Sequence, residues 1–491
     1  MQKQNLKLFF LLVIFLILPS FVEAANFPLE IIQPQPGLNT SNRFYKAYPG
    51  LVYNVRAAVI GGEYPFTYTL TTYPDGMTVN ENTGEINWPN PTTSGSPHPV
   101  TLLVTDQENT VSTVSWTITV TTDGFYFIDA INGLTVAQGG TGTQANPWKI
   151  IEDWYITKYD TTYSGGFLYF KTGTYTPPAL EDGERLAFNQ NYKPKIWLAY
   201  PDDFPIFDMS YAHISMYAGG GNNFYVDGID FVPIANPDRK GISIDGASMN
   251  VVLRNNKFHG TTERIGTNMA HIFIAANASQ PYWAIQDNLF YDSVRTMGIE
   301  GYDATKVLVE DNYFYNFSNG GGESHAIGPK SNITRWDIRH NQIWNAAGHG
   351  IWIGGSNSNP FENNEVRFNV VKDTPSGYAL TVNYDGTDTG THYIYRNTFV
   401  GSIYVRNPII GMGPYYFYNN VIQNPTDGFT YNTTPDAGVV VSTNNLIETS
   451  GLVDSSGNLI DPYLDYVGTT GWQIGESDVI PPSSPTGMSI L

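Results

Sequence analysis

A repeated phrase constrains the fold of this chain more than any other feature of its sequence. In each copy, an apolar strand leads to an asparagine, and an apolar residue follows two positions later. The repeated asparagines are Asn256, Asn288, Asn312, Asn341, Asn369, Asn397, Asn420 and Asn445. The intervals between them are 32, 24, 29, 28, 28, 23 and 25 residues. A period of this length, with variable insertions, predicts a solenoid in which each repeat forms one coil.

The residue type at the repeated position favours one kind of solenoid. Strands stacked in a parallel sheet place equivalent residues about 4.8 Å apart. An asparagine side chain suits such a stack, because its amide can bond the next amide and nearby backbone groups while tolerating a turn. A β-sandwich would not need asparagine in phase through the whole series. We therefore predict an all-β chain in which residues 123–478 form a right-handed parallel β-helix.

The part of the chain before the repeats has a different pattern. Three runs alternate apolar and polar residues with a period of two, as strands with one buried face do. These runs are Phe66–Leu70, Val100–Val104 and Val114–Val120. The segments Pro74–Val79 and Thr83–Trp88 resemble the bacterial immunoglobulin-like and cadherin-like modules of cell-surface proteins. We predict a small β-sandwich over residues 25–122, with Asp106 as a turn residue rather than a calcium ligand.

The first 24 residues have the pattern of a signal peptide. Lys3 and Lys7 precede the apolar run Leu8–Leu18, and Val22-Glu23-Ala24 offers small residues for cleavage. An uncleaved membrane anchor is the alternative, but the apolar run is short for a membrane span. We expect a bacterial-type signal peptide over residues 1–24, export to the periplasm or the cell exterior, and a C-terminal tail over residues 479–491.

Charge and cysteine content exclude several classes of function. The net charge is −20 and the sequence contains no cysteine, so disulfides, catalytic thiols and cysteine-based metal sites are excluded. An acidic surface repels nucleic acid and anionic membranes, and we expect neither as a partner. A local basic cleft would still admit an acidic polysaccharide, which we predict as the partner of a monomeric protein.

Two segments near the start of the predicted β-helix, Gly140–Ile150 and Gly165–Thr176, resemble the N-terminal entry of many secreted β-helices. There a short helix caps the first coil, and this resemblance implies such a helix after Ile150. A cap of this kind protects the end of the solenoid, which would otherwise be an unpaired sheet edge.

Between successive asparagines lies a second repeated phrase, which we interpret as the first strand of each coil. Its aliphatic residues alternate toward the core, and the residues between them are expected to face solvent. The predicted substrate-binding residues on this outer face are His271, Glu300, Tyr302, Trp352, Asn383, Tyr404 and Arg406, beside Asp245, Phe273 and Lys330. Aromatic rings and mixed charges in one groove suit a polysaccharide. The alternative is an ordinary solvent-exposed surface.

The segment Gly322–Ser331 carries the most specific local signal. It resembles the catalytic segment of family-six polysaccharide lyases, the alginate lyase and chondroitinase B group, which share the pectate-lyase-like β-helix. The resemblance implies that Lys330 is the Brønsted base and that Glu323 is a calcium ligand. His325 departs from the family pattern, because a second acidic ligand is expected there. Gly354 also departs from it, since the family has its catalytic arginine in that column.

Arg295 aligns one coil before Glu323, so a salt bridge could take the place of calcium. β-Elimination from a uronate needs a neutralised carboxylate, a base for the C5 proton and a proton donor for the leaving oxygen. The carboxylate would be neutralised by Arg295, by calcium or by a protonated histidine. The base would be Lys330 or a histidine. The donor would be His349, His325 or Tyr302.

Three alternatives to this catalytic interpretation stay open. Both histidines would be turn residues and Lys330 a solvated side chain if the segment has no catalytic role. A β-helix glycoside hydrolase would use paired carboxylates, for which Glu300 with Asp303 or Asp245 are candidates. A non-catalytic, glycan-binding surface adhesin would also explain the immunoglobulin-like module.

Overall fold

The computed structural model of the chain describes residues 25–35, 42–152, 166–176, 185–187, 195–209, 213–216, 224–232, 242–246, 250–260, 270–294, 296–318, 325–354, 361–374, 377–383, 390–407, 413–423, 428–448 and 450–452. The predicted signal peptide, the C-terminal tail and all but the first two residues of the capping helix expected after Ile150 lie outside these residues; Ile151 and Glu152 are helical. Among them, strands and turns dominate, with short 3₁₀ helices at Arg43–Tyr45 and Val136–Gln138. The all-β prediction is confirmed. No helix in this part of the chain is long and apolar enough to cross a membrane.

The N-terminal unit is a small β-sandwich made largely of antiparallel pairs. Its strands are Glu30–Gln33, Lys46–Ala47, Tyr53–Arg56, Ala58–Ile60, Thr67–Thr72, Thr78–Val79, Glu85–Trp88, His98–Thr105 and Val111–Val120. In the last strand every second residue from Val114 to Val120 is buried, as the period of two predicts. The carboxylate of Asp106 accepts backbone N–H groups from Glu108 at 3.0 Å and Thr110 at 2.7 Å. Asp106 is therefore the turn residue that the sequence predicts.

The rest of the described chain is a parallel β-helix with three strands per coil, which we call sheets A, B and C. Sheet A contains Arg185–Ala187, His213–Met216, Ile242–Gly246, His325–Pro329, His349–Gly354, Leu380–Asn383, Ile403–Arg406 and Phe429–Tyr431. Sheet B contains Phe125–Ile128, Gly166–Phe170, Lys195–Ala199, Phe224–Asp227, Val251–Arg254, Ile333–Arg339, Glu365–Arg367, His392–Tyr395, Tyr415–Tyr418 and Val440–Thr443, with Phe361–Glu362 beside Ile333–Arg339. The long strands Ala270–Gln286 and Met297–Glu310 run through the corner from sheet A to sheet B.

Sheet C closes each coil. Its strands are Gly173–Tyr175, Pro205–Asp208, Asp230–Val232, Lys257–His259, Leu289–Val294, Tyr313–Ser318, Gln342–Ala346, Val370–Lys372, Thr398–Val400, Val421–Gln423 and Leu446–Glu448. Inside the β-helix, four phenylalanine rings stack from coil to coil, with successive ring centroids 5.0, 5.0 and 4.5 Å apart: Phe231, Phe258, Phe290 and Phe314. Each fully buried ring contributes about 1.5–3 kcal/mol to folding. The apolar core therefore runs along the helix axis.

The repeated asparagines form a continuous ladder at the turn between sheets B and C. The backbone N–H and the Nδ2 of Asn341 both donate to Oδ1 of Asn369, each at 3.0 Å. Asn369 repeats this pair of bonds to Asn397 at 3.0 and 2.9 Å. The same pattern joins every described pair from Asn256 to Asn445. The predicted asparagine stack is confirmed.

The sandwich packs against the outer face of sheet B. Arg56 of the sandwich forms ion pairs with Asp287 at 2.6 Å and with Glu310 at 3.2 Å, and it also bonds Asp311. Arg396 pairs with Glu63 of the sandwich at 2.6 Å. A shared apolar cluster runs beneath these pairs, from Trp116 of the sandwich to residues of sheet B. The two units are therefore joined by both charge and apolar burial, and sheet A is on another side of the helix.

Candidate functional site

The outer face of sheet A carries two rows of side chains that run from coil to coil. The backbone register gives the first row as Phe273, Glu300, Gly328, Trp352, Thr381 and Tyr404. The second row, two residues further along each strand, contains Tyr302, Lys330, Gly354, Asn383 and Arg406. This alignment brings together most of the residues that the sequence predicts as a site. Arg295 and Glu323 lie outside the described residues.

A buried carboxylate joins two of the predicted site residues. Glu300 is fully buried, and its Oε1 lies 2.6 Å from Nζ of Lys330. The hydroxyl of Tyr302 donates to the same oxygen at 2.8 Å. The side chain of Lys330 is 13% exposed, and Tyr302 is half-buried. Glu300 was predicted to contact substrate, but it is covered and instead holds an ammonium and a phenol that are partly exposed.

The side chain of His325 lies across its own strand. A Cβ placed on Gly328 would come within 1.9 Å of His325 Nε2 and 2.1 Å of its Cδ2. The imidazole therefore occupies the space in the first row that a side chain at position 328 would fill. Its ring centroid is 6.1 Å from that of Trp352. Only about 1% of His325 is exposed, so this imidazole packs within the site.

His349 follows His325 in the backbone register, one coil further along, as the sequence predicts. Its Nδ1 lies 2.8 Å from Oγ1 of Thr381 on the next coil. The imidazole meets Trp352 edge to face at 4.7 Å and stacks on Tyr378 at 5.8 Å. Tyr378 in turn stacks on Tyr404 at 4.6 Å. An aromatic stretch therefore extends from Trp352 to Tyr404, on the C-terminal side of Lys330.

The prediction that His271 faces solvent is wrong. His271 is fully buried among Phe258, Phe290 and Phe317, and its Nε2 lies 2.6 Å from Oγ of Ser293. Burial lowers the pKa of His271 to about 3, because an apolar interior disfavours the charged imidazolium. His271 is the second residue of its strand, which begins at Ala270 at the corner of the coil, where the side chain turns inward.

The other predicted residues of this face differ in how far solvent reaches them. Arg406 is exposed and Tyr404 half-buried, while Asn383 is 6% exposed. Phe273 lies on the outer face but packs with Ala270 and Met297 beneath Tyr302. The side chain of Asp245 lies outside the described part.

The predicted calcium ligand Glu323 lies outside the described residues, and the donors that the structure does describe form no calcium site by themselves. Calcium takes oxygen ligands, whereas the position of the expected second acidic ligand is held by the imidazole of His325. The Oε1 of Glu300 already binds Lys330 and Tyr302. Among the described residues, no three histidine, aspartate or glutamate side chains are arranged to hold a metal ion.

Sequence reasoning missed the roles of Gly328 and Thr381 in this face. Gly328 gives space to His325, and Thr381 contacts His349. A signal for the first was present, since a glycine interrupts a row that otherwise carries Glu300 and Trp352. The contact between Thr381 and His349 joins side chains on different coils, and the sequence carries no sign of it.

Comparison with known proteins identifies the first unit. A family described as "Putative Ig domain" matches residues 32–121, which confirms the resemblance of the sandwich to immunoglobulin-like modules. None of the curated proteins matches the chain.

Two solved structures resemble the chain at a low level. A periplasmic alginate epimerase with two substitutions is 11% identical, with a TM-score of 0.35 over 60% of this chain and 82% of that one. The family 28 exopolygalacturonase of Yersinia enterocolitica is 9% identical, with a TM-score of 0.32 over 84% of this chain and 98% of that one. Neither likeness is close enough to assign a reaction.

Proposed function

We propose that the chain is an exported polysaccharide lyase, which cleaves a uronic-acid-containing polysaccharide by β-elimination on the outer face of sheet A. One observation carries the proposal: Lys330 and Tyr302, which are both partly exposed, bind the same oxygen of the buried Glu300. A base and a proton donor joined through one carboxylate can exchange protons between them. Elimination needs these two proton transfers at adjacent carbons of one sugar.

The step balances with these three side chains. Lys330, acting as an amine, takes the C5 proton of the uronate. The electron pair forms the C4–C5 double bond as the C4–O bond breaks. The hydroxyl of Tyr302 protonates the leaving oxygen, and it regains a proton from Lys330 through Glu300.

The carboxylate of the substrate must also be neutralised before the C5 proton can leave. Arg295 is the predicted group for this role, and calcium at Glu323 is the alternative; both residues lie outside the described part of the chain. His349 stays a predicted member of the catalytic set through its place beside Trp352. The aromatic stretch from Trp352 to Tyr404 offers surfaces for sugar rings on one side of Lys330.

The hydrolase alternative has less support in the described contacts. It needs two carboxyl groups that flank the scissile bond. Glu300 is fully buried and bonded to a cation, while the carboxylate of Asp303 accepts the amide of Asn332 at 2.6 Å. The adhesin alternative gives no reason for a lysine and a tyrosine to share one buried carboxylate.

The test is an ultraviolet assay on a panel of uronic-acid polysaccharides, because only elimination creates a conjugated 4,5-unsaturated uronate. Lys330→Met and Tyr302→Phe should each lower turnover by a factor of about 10² to 10⁴. Lys372→Met is the matched control, since that lysine lies on sheet C with its side chain 15% exposed, and it should leave turnover unchanged. Parental activity in Lys330→Met would refute the proposed base.

A further inference from the structure

Gly328 lies at a position in the first row of sheet A where a side chain is excluded. A Cβ there would overlap the imidazole of His325, at 1.9 Å from Nε2 and 2.8 Å from Cε1. Real Cβ atoms essentially never approach a heavy atom this closely, so even an alanine would displace the ring. The obstacle is a packed ring with about 1% exposure, which has little room to move away.

The neighbours of this position give the displacement a consequence for the site. Gly328 pairs in register with Glu300 on the preceding coil. On the following coil, Trp352 occupies the equivalent place, and its ring centroid is 6.1 Å from that of His325. Displacement of the imidazole is therefore expected to disturb the two neighbours of this position in the row, since Glu300 holds Lys330 and Trp352 begins the aromatic stretch.

We propose that Gly328 is a positioning residue of the site. By lacking a side chain, it lets the imidazole of His325 fill the space between Glu300 and Trp352, and this filling sets the distance between Lys330 and the aromatic stretch. His325 then serves as a spacer rather than as a group that contacts substrate. The consequence for turnover rests on the proposed function, whereas the packing relation between Gly328 and His325 stands apart from it.

The packing relation is tested by a double-mutant cycle in the full-length mature protein. Gly328→Ala should lower the melting temperature in the parent, because a methyl group overlaps the imidazole. In a His325→Ala background the same change should have little or no effect, since the imidazole is gone. Equal losses in both backgrounds would overturn the proposal, because the cost would then come from the glycine backbone and not from His325.

The effect on the site is tested by two further measurements. The imidazole resonances of His325 should shift in Gly328→Ala, while those of His259 on sheet C stay unchanged. Turnover on a uronate polymer should fall by about 10²-fold in Gly328→Ala, and it should fall no further in the double variant than in His325→Ala alone. A parental turnover with a displaced imidazole would refute the spacer role. If the parent cleaves no polymer, the proposed function fails, and the melting and resonance measurements still decide the packing relation.

Discussion

Replacing Asn369 by alanine removes one member of the asparagine ladder at a place where nothing else can substitute for it. Its Nδ2 donates to the carbonyls of Ile338 at 2.8 Å and Arg367 at 3.0 Å, and to Oδ1 of Asn397 at 2.9 Å. Its Oδ1 accepts both N–H donors of Asn341. A buried hydrogen bond contributes about 1 kcal/mol net, and an orphaned polar group costs more. Five linked bonds therefore predict a loss of about 3–5 kcal/mol.

The assay is urea unfolding followed by far-ultraviolet circular dichroism, with the loss read from the shift in midpoint at constant slope. Asn132→Ala is the matched control, because this asparagine is exposed and its side-chain amide reaches Asp129 at 3.5 Å. This control variant should lose less than about 0.5 kcal/mol of unfolding free energy. If Asn369→Ala unfolds at the parental midpoint, the ladder does not stabilise the coils and this reasoning is wrong.

Two further predictions concern the interior and the contact between the two units. His271 is buried, and its pKa is lowered to about 3, against about 6.5 in an unfolded chain. The free energy of unfolding should therefore be unaffected by this histidine above pH 6.5, and it should decrease as the pH falls from 6.5 toward 3, because the unfolded chain then binds a proton that the folded chain does not. In His271→Leu, the melting temperature should decrease less steeply with falling pH between 6.5 and 3 than it does in the parent. If the two proteins show the same decrease, His271 is not the cause of the pH dependence. Arg56→Met should cost about 1.5–3 kcal/mol, because it removes the partner of Asp287 and Asp311 and one of the two arginines that pair with buried Glu310. Lys306→Met is the control, because it removes a half-exposed ion pair with Glu30, and it should cost under about 1 kcal/mol in the same urea assay. Similar losses in the two variants would contradict the view that the buried ion pairs of Arg56 hold the sandwich against sheet B.

The asparagine ladder and the row of Lys330 could be predicted from sequence because a parallel β-helix repeats one local geometry. Once Asn341 and Asn369 are aligned, the strands between them fall into register, and each outward residue follows by counting. This counting placed His349 after His325 and Gly354 after Lys330. It fails at a corner, where two consecutive side chains can point inward, as His271 shows. The residues equivalent to His271 on later coils are Gly298, Ala326, Gly350 and Ala379, and their small size was a sign that this position faces the interior.

The docking of the sandwich could not be predicted from local patterns, because it depends on contacts between distant segments. The residue before each ladder asparagine adopts a left-handed conformation, with φ of 57° at Phe368 and 53° at Arg396. Neither residue type favours this conformation. Phe368 packs on Tyr64 at 5.1 Å and Arg396 pairs with Glu63, so contacts with the sandwich offset the local cost. Likewise, the burial of Glu300 depends on the positions of the Lys330 and Tyr302 side chains that bond its carboxylate, and these positions could not be predicted from the sequence.

The most direct test of the proposed reaction is the mass balance of cleavage on a uronic-acid oligosaccharide of defined length. Elimination divides the chain without adding water, so the masses of the two fragments should sum to the mass of the parent. The fragment that carries the new non-reducing end should also absorb in the ultraviolet, and Lys330→Met should form neither product. Fragments whose masses sum to the parent plus one water would identify a hydrolase and contradict the assignment of Lys330 and Tyr302.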